Sequence, residues 1–275
     1  MSDVIRLLAP GDVPAVMRIK DAAGWNQTET DWLNVFRLAP QACFGLERDG
    51  EIVATTTAVS YGRKLGWIGM VLTDPAHRRQ GLGRRLMEHA LEALYADGIE
   101  WIKLDATDMG APLYRSLGFE DEAVIERWGV SASEPTSPPA VSSSFSIDAI
   151  LDMAAFGADR TALLTLLSGI GSASIPGEGY AMARPGSRAA YFGPCVCRSS
   201  ETAGALLDWF VHRFSRQPLY WDILPANTEA VKLARSRGFE PVRRLIRMVR
   251  PGKSGAPPMQ HDDSRIFAIA GFEYG

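Results

Sequence analysis

The stretch Val71-Leu72-Thr73-Asp74-Pro75-Ala76-His77-Arg78-Arg79-Gln80-Gly81-Leu82-Gly83-Arg84-Arg85-Leu86 concentrates chemistry as no other part of the chain does. An apolar run passes into a basic, glycine-containing turn, which opens directly into an amphipathic segment. Successive amides of such a turn, with the positive end of a helix dipole, form an anion site. Gly81 and Gly83 lack the Cβ atoms that would keep a pyrophosphate off the backbone. Arg78, Arg79 and Arg84 add charge, and a guanidinium can grip two phosphate oxygens at once. On two glycines alone, a solvated basic surface turn would be the better explanation.

The full string is more specific. Arg78-Arg79-Gln80-Gly81-Leu82-Gly83 fits the pattern Gln/Arg-x-x-Gly-x-Gly/Ala behind a strand that ends in x-Pro. Further on, Asp108-Met109-Gly110-Ala111-Pro112-Leu113-Tyr114-Arg115-Ser116-Leu117-Gly118-Phe119 looks like a helix of the form Asn-x-x-Ala-x-x-Tyr closing in Gly-Phe, with Asp108 where Asn is usual. Together, in this order and at this separation, the two motifs resemble the GNAT acetyltransferase superfamily over residues 4–122. The resemblance implies acetyl-CoA as acyl donor. It implies that the backbone of Val71, Leu72 and Thr73 lines the pantetheine and thioester carbonyl. It further implies that Arg78, Arg79, Gln80, Gly81, Leu82, Gly83 and Arg84 cradle the phosphates and that Tyr114 sits beside the sulfur.

The implied reaction needs few side chains. A neutral amine attacks the thioester, a strand amide stabilises the oxyanion, and a phenol protonates the departing thiolate. A tyrosine on a short helix often only packs, but the register of Tyr114 relative to Gly118-Phe119 favours the acid. The general base stays open: Glu47 and Asp105 read better as solvated or paired strand carboxylates, and His77 lies on the phosphate side. Trp25 and Asn26 interrupt two early helices in a region that commonly shapes the acceptor pocket in GNAT proteins. An aromatic beside amides suits substrate recognition there, and a core packing role is the alternative for Trp25. Cys43, with no placed histidine, reads as a buried structural thiol.

The elements that must hold these residues alternate. Residues 4–7 read as a strand, 14–23 and 32–38 as helices, and 43–47 and 51–60 as strands flanking the hairpin signal Asp49-Gly50. A strand at 67–73 precedes a helix at 84–96 with Leu86, Met87, Ala90, Leu91 and Leu94 on one face. A strand at 101–106 and a short helix at 111–116 follow. The second half repeats part of this order: a helix at 160–167, strands at 180–183 and 188–196, a helix at 203–214, a strand at 219–224 and a helix at 230–237. It too closes in Gly-Phe, at Gly238-Phe239. One module used twice, the second without its opening strand, explains the pattern. The expected fold is α+β: two GNAT-like domains, each a mixed sheet flanked by helices.

The second copy departs where chemistry would sit. Arg198 to Gly204 lacks the paired glycines and places Glu201 where a pyrophosphate should lie, and Leu233 and Ala234 stand in the region of the tyrosine. This resembles tandem GNAT proteins with a degenerate C-terminal domain, through Gly193-Pro194, Asp222, Asn227, Gly238-Phe239 and Arg247-Met248. Weaker signals are set aside: Gly169 to Ser174 lacks a third glycine and a preceding strand, and Cys195-Val196-Cys197 gives no metal site. Arg243 to Arg247 has alternating strand character and reads as a solvated face rather than a nucleic-acid patch, 252–263 reads as a loose loop and 265–272 as a final strand.

The chain has 275 residues, 46% of them hydrophobic and 22% charged, which excludes a disordered or fibrous protein. Residues 131–146, with eight serines and threonines, three prolines and one charge, read as a linker between domains at 1–130 and 147–275. A net charge of −3 offers no field for nucleic acid or an anionic membrane. Three cysteines give no disulfide framework, and no uncharged apolar run of bilayer length occurs. A cytoplasmic enzyme is expected, acting on a small-molecule or peptide amine, with a homodimer compatible. The reading from another class is a non-catalytic acyl-CoA sensor.

Overall fold

The computed structural model describes residues 3–134, 141, 145–252 and 256–275. The chain forms two compact units, and neither is one continuous stretch. Unit 1 is Met1–Asp121 with Met248–Pro257 and Phe272–Gly275; unit 2 is Glu122–Arg247 with Pro258–Gly271. The division therefore differs from the 1–130 and 147–275 read off the sequence. Of the linker at 131–146, residues 135–140 and 142–144 lie outside the described residues.

Unit 1 runs β1 (Asp3–Leu7), α1 (Val13–Ala23), α2 (Glu29–Leu38), β2 (Cys43–Arg48), β3 (Glu51–Tyr61), β4 (Leu65–Thr73), α3 (Leu82–Ala96), β5 (Trp101–Ala106) and α4 (Ala111–Ser116). Strands β1 to β4 pair antiparallel in sequence order, and β5 joins β4 in parallel. The parallel step follows from α3, which carries the chain back across the sheet. Asp49 and Gly50 both have positive φ, 51° and 88°, the conformation a two-residue hairpin between β2 and β3 demands. Helix α3 buries Leu82, Leu86, Met87, Ala90, Leu91 and Leu94, the periodic face of the sequence extended by one turn.

The segment Met248–Pro257 is tied into the same unit. The Gly252 N–H donates to the Glu100 carbonyl at 2.8 Å, and the Trp101 indole donates to the Pro257 carbonyl at 2.8 Å. Arg250 donates to the Leu117 carbonyl and lies 5.7 Å from the centre of the Phe119 ring.

Unit 2 contains most of β6 (Glu120–Val130), then α5 (Ala149–Phe156), α6 (Thr161–Ser168), β7 (Ser172–Ile175), β8 (Gly179–Arg184), β9 (Ala190–Cys197) and α7 (Ser200–Phe214). It continues through β10 (Leu219–Ile223), α8 (Thr228–Ser236), most of β11 (Glu240–Pro251) and β12 (Ile266–Ala268). Strands β7, β8 and β9 pair antiparallel, β10 joins β9 in parallel, and β6 pairs antiparallel with β10. In its core Phe192 lies tilted against Phe210 at 5.1 Å, Trp221 meets Phe192 edge-on at 5.6 Å and Phe239 meets Trp221 edge-on at 5.7 Å.

The repeat is structural. β4-α3-β5-α4 and β9-α7-β10-α8 follow the same order, and α3 and α7 both have 15 residues. Three elements carried no sequence expectation, β6, α5 and β7, and β11 carried one only over Arg243 to Arg247. The expected final strand at 265–272 is strand only over Ile266–Ala268. Arg247, read as part of a solvated face, is buried.

Candidate active site

In unit 1, β4 carries one extra residue against β3. The register passes from Thr55↔Leu72 to Thr57↔Gly69, so three steps on β4 answer two on β3. The extra residue bends the strand, and Met70 takes φ 49° with its carbonyl held by the Thr55 hydroxyl at 2.7 Å. Beside the bulge, β4 leaves β5. The two strands pair at Leu65↔Trp101, Gly66↔Ile102 and Trp67↔Lys103, and no further pairing joins the rest of β4 to β5 among the described residues. A fork in a parallel pair exposes strand amides along one edge, the requirement for receiving an extended, amide-bearing chain. Val71, Leu72 and Thr73 lie on that stretch of β4.

The fork leads to the turn read as a phosphate cradle. Asp74 accepts from the Ala76 N–H at 3.0 Å and from Arg18 at 2.5 Å, which ties the turn to α1. Burial pushes the Asp74 carboxyl up, and those two donors outweigh it, so the group lies below its ordinary value. Gly81 is the N-cap of α3 at φ 78°, with no side-chain hydrogen bond at that cap. The first-turn N–H groups of α3 have no helical acceptor and point outward at the positive helix end. A Cβ on Gly81 would meet nothing within 4 Å, so the glycine is required by its φ and not by crowding.

The expected arginines separate. Arg78 donates to the Thr73 carbonyl at 3.3 Å, and Arg84 donates to Ser116 at 2.7 Å. Arg79, at φ 63°, is exposed and makes no ion pair among the described residues. Gln80 accepts from Arg48 at 2.5 Å. Arg79 is therefore the guanidinium most available to a phosphate, while Arg78 and Arg84 must exchange a present partner to reach one.

Tyr114 on α4 is buried and packs edge-on against Phe119 at 6.2 Å between ring centres. Burial pushes its phenol up to about 12. Its hydroxyl makes no hydrogen bond among the described residues. Cys43 is fully buried, its thiol pushed up to about 12 by that burial and donating to the Ala39 carbonyl at 3.2 Å. Glu47 is paired with Arg6 at 2.7 Å.

Trp25 and Asn26 lie in the turn between α1 and α2. The turn is fixed by reciprocal capping: Thr28 Oγ1 accepts from the Asp31 N–H, and Asp31 Oδ2 accepts from the Thr28 N–H at 2.7 Å. Asn26 is buried and Trp25 half-buried. The next residue, Gln27, donates to the Glu273 carboxylate at 2.8 Å. Glu273 had no signal in the sequence, since it is 246 residues from Gln27.

Unit 2 repeats the scaffold with a different arrangement at the fork. β9 and β10 also pair over three residues, Ala190↔Leu219, Tyr191↔Tyr220 and Phe192↔Trp221. Beyond them β12 takes the place beside β9, pairing Ile266↔Val196 and Ala268↔Cys195. The Trp221 indole donates to the Phe267 carbonyl at 2.7 Å, and the Ile269 N–H donates to the Asp222 carbonyl at 3.2 Å. The fork of unit 2 is thus filled by the chain itself. At the start of α7, Ser199 accepts from the Thr202 N–H at 3.2 Å, occupying a donor that an anion would need.

The helix ends give the exact register of the repeat. Phe119 N–H donates to the Tyr114 carbonyl at 3.1 Å, and Phe239 N–H donates to the Ala234 carbonyl at 3.0 Å. Ala234 is therefore the counterpart of Tyr114. By the same offset the counterpart of Asn227 is Thr107, not Asp108. Asn227 accepts from Ala230 N–H at 3.1 Å and Thr107 from Gly110 N–H at 3.2 Å, whereas Asp108 is exposed.

Comparison with known proteins agrees with this architecture. The acetyltransferase (GNAT) family profile matches residues 15–119, and an acetyltransferase (GNAT) domain profile matches 149–268. The chain is 27% identical over 210 residues to the uncharacterized N-acetyltransferase YitH of Bacillus subtilis, covering 71% of this chain and 73% of that one. It is 43% identical over 60 residues to the ribosomal protein bS18-alanine N-acetyltransferase of Escherichia coli, covering 21% of this chain and 40% of that one. Among solved structures, a candidate acetyltransferase of Pyrococcus horikoshii superposes with a TM-score of 0.85 at 21% identity, covering 99% of this chain and 96% of that one. A tandem GNAT protein from the clavulanic acid biosynthesis pathway superposes with a TM-score of 0.63 at 15% identity, covering 92% and 100%. With two matched domains on a repeated α/β scaffold, the chain belongs to the GNAT acetyltransferase family and is an acyltransferase with a tandem arrangement.

Proposed function

We propose that the protein transfers an acetyl group from acetyl-CoA to a primary amine by direct attack within a ternary complex, at one site, in unit 1. The observation that carries this reading is the contrast between the forks: open between β4 and β5, filled by β12 between β9 and β10. The pantetheine would add along β4 at Val71, Leu72 and Thr73. The pyrophosphate would meet the N-terminus of α3, with Gln80, Gly81, Leu82 and Gly83 as backbone and Arg79 as the readiest counter-charge.

The amine nitrogen, once neutral, forms a bond to the acyl carbon. The C–S bond breaks, and the thiolate takes the proton of Tyr114, which a proton released by the nitrogen later replaces. A phenol held at about 12 is fully protonated at neutral pH, as an acid for a thiolate must be. Backbone N–H groups at the bulge suit the developing oxyanion. Trp25 and Asn26 border the acceptor, a small-molecule or peptide amine. The reading from another class, a non-catalytic acyl-CoA sensor, gives no role to a buried phenol whose hydroxyl is left without a partner.

Calorimetry tests the donor half. One acetyl-CoA per chain is expected, and two equivalent sites would overturn the one-site reading. A panel of amines with acetyl-CoA, scored by CoA release, tests the acceptor half.

A further inference from the structure

The turn before α3 carries little support of its own. Gly81 has no side chain, a Cβ there would meet nothing within 4 Å, and no side chain caps the helix at that residue. At its start the turn is tied through Asp74 to Arg18. At its other end the support comes from the edge of the sheet in the same unit. Asp3 on β1 stands directly opposite Arg48 on β2, so the two side chains share one face of the sheet. Arg48 grips the Asp3 carboxylate with two donors, Nε to Oδ1 at 2.6 Å and Nη2 to Oδ2 at 2.9 Å. Arg85, near the start of α3, donates to the same carboxylate. Asp3 thus links the sheet edge to both sides of Gly81: directly to Arg85 after it, and through Arg48 to Gln80 before it. The side chains of Asp3 and Arg48 are 18% and 14% exposed, so this pair is shielded from the solvent that weakens ordinary surface pairs. Arg48 also leads into the Asp49-Gly50 hairpin, which fixes the backbone behind it.

The contact to Gln80 settles a chemical choice. A guanidinium only donates, so the Gln80 amide turns its oxygen to Arg48 at 2.5 Å and its NH2 away. That NH2 makes no hydrogen bond among the described residues, and Gln80 is exposed immediately before the N-cap of α3. An amide free to rotate would offer either end to solvent. Held by Arg48, it offers two N–H donors beside the backbone amides of the helix start. A phosphate oxygen accepts and carries charge, which strengthens each such bond.

We propose that Asp3 and Arg48 are positioning residues for the acyl donor, and that the Gln80 side-chain amide they hold donates to its pyrophosphate. The inference rests on the assignment of acetyl-CoA to unit 1. It adds a side-chain amide to a turn otherwise made of backbone N–H groups and arginines, and it gives the edge strand β1 a part in donor binding.

The test is calorimetry of the full-length protein with acetyl-CoA, with a thermal melt of each variant. Gln80→Met removes the two donors and should raise Kd about tenfold. Asp3→Asn removes a negative charge near the phosphates, so Coulomb attraction by itself would tighten binding. Loss of positioning should instead raise Kd about tenfold. Because Asp3 acts through Gln80, the double variant should also lose about tenfold, and not the roughly hundredfold of two independent losses. Acetyl-dephospho-CoA keeps the pyrophosphate and should show the same losses. Should Asp3→Asn prove unstable in the melt, Arg48→Met takes its place in the cycle with the same expectation. Unchanged Kd in Gln80→Met, unchanged or tighter binding in Asp3→Asn, additive losses, or losses absent with acetyl-dephospho-CoA overturn the assignment while acetyl-CoA binding stands. A wild-type chain that binds no acetyl-CoA instead overturns the donor reading on which it rests.

Discussion

Tyr114, the acid of the proposed transfer, keeps its proton through the neutral range. Its phenol lies at about 12 because burial penalises the phenolate. Tyr114→Phe should therefore lower kcat by roughly 10²-fold with the Kd of acetyl-CoA unchanged, measured by CoA release and calorimetry. A mutant with wild-type turnover, at a rate set by chemistry, would return the ring to packing on Phe119. The same shift acts on stability. A folded-state value raised above the unfolded one leaves stability intact below the unfolded value and removes it as pH climbs to the folded one. For Tyr114 that window runs from 10 to about 12, and for Cys43 from 9 to about 12. The Tyr114 contribution is on the order of 2–3 kcal/mol. The melting temperature should be flat from about pH 7 to 9 and fall above it, and Tyr114→Phe with Cys43→Ala should flatten that fall. At Gly81, φ 78° with open space around it separates strain from sterics. Gly81→Ala should cost about 1–2 kcal/mol of stability. Gly81→Asp should in addition weaken acetyl-CoA by at least about tenfold, by placing a carboxylate where the phosphates belong.

Elements with local signals were legible. β5 and α4 fall at the boundaries their sequences imply because Gly118 and the apolar spacing act within a few residues. The Asp49-Gly50 turn and the periodic face of α3 succeed for the same reason. β6 opens with Glu120-Asp121-Glu122, so its strand character comes from the partners it meets and not from alternation, whereas the alternation at Arg243 to Arg247 marks only part of β11. Asp222 illustrates the cost of such placement. It is fully buried and held bidentate by Arg127 at 2.8 and 2.7 Å, a pairing between distant residues that spacing cannot reveal. Asp222→Ala should destabilise by about 3–5 kcal/mol because it strands a buried guanidinium, to be read by denaturant unfolding. The degenerate character of the second copy was legible in its missing glycines and tyrosine. Its filled fork was not, since β12 lies about 70 residues along from β9. At the proposed acceptor side, the capping box of α2 holds the turn that carries Trp25, Asn26 and Gln27. Thr28→Ala should remove about 1 kcal/mol of stability and raise acceptor KM, while acetyl-CoA affinity is retained.

Across the whole molecule, the chain passes between the two units four times, at 121, 247, 257 and 271. A cut between sequence halves therefore does not yield a complete unit. Residues 1–130 would lack Met248–Pro257 and Phe272–Gly275, and with them the acceptors of the Trp101 and Trp67 indoles and of the Tyr61 hydroxyl. They would also lose Met248 and Tyr274, both with no exposed surface. Each such side chain contributes about 1.5–3 kcal/mol of burial, and each orphaned buried donor costs about 1–3 kcal/mol. The sum is comparable to the about 5–15 kcal/mol that holds a whole domain together. Residues 1–134 expressed alone should accordingly aggregate or fail to melt cooperatively, and should not bind acetyl-CoA in calorimetry, although they hold the whole phosphate turn and Tyr114. Residues 141–275, co-expressed as a separate chain, supply both missing segments. The two pieces should co-purify and together recover one acetyl-CoA site, because the described contacts of both units, Val141 on the core of unit 2 included, are then present. If residues 1–134 alone bound acetyl-CoA as tightly as the full chain, the interleaved segments would be dispensable for the donor site. Their role would then shrink to the stability of unit 1.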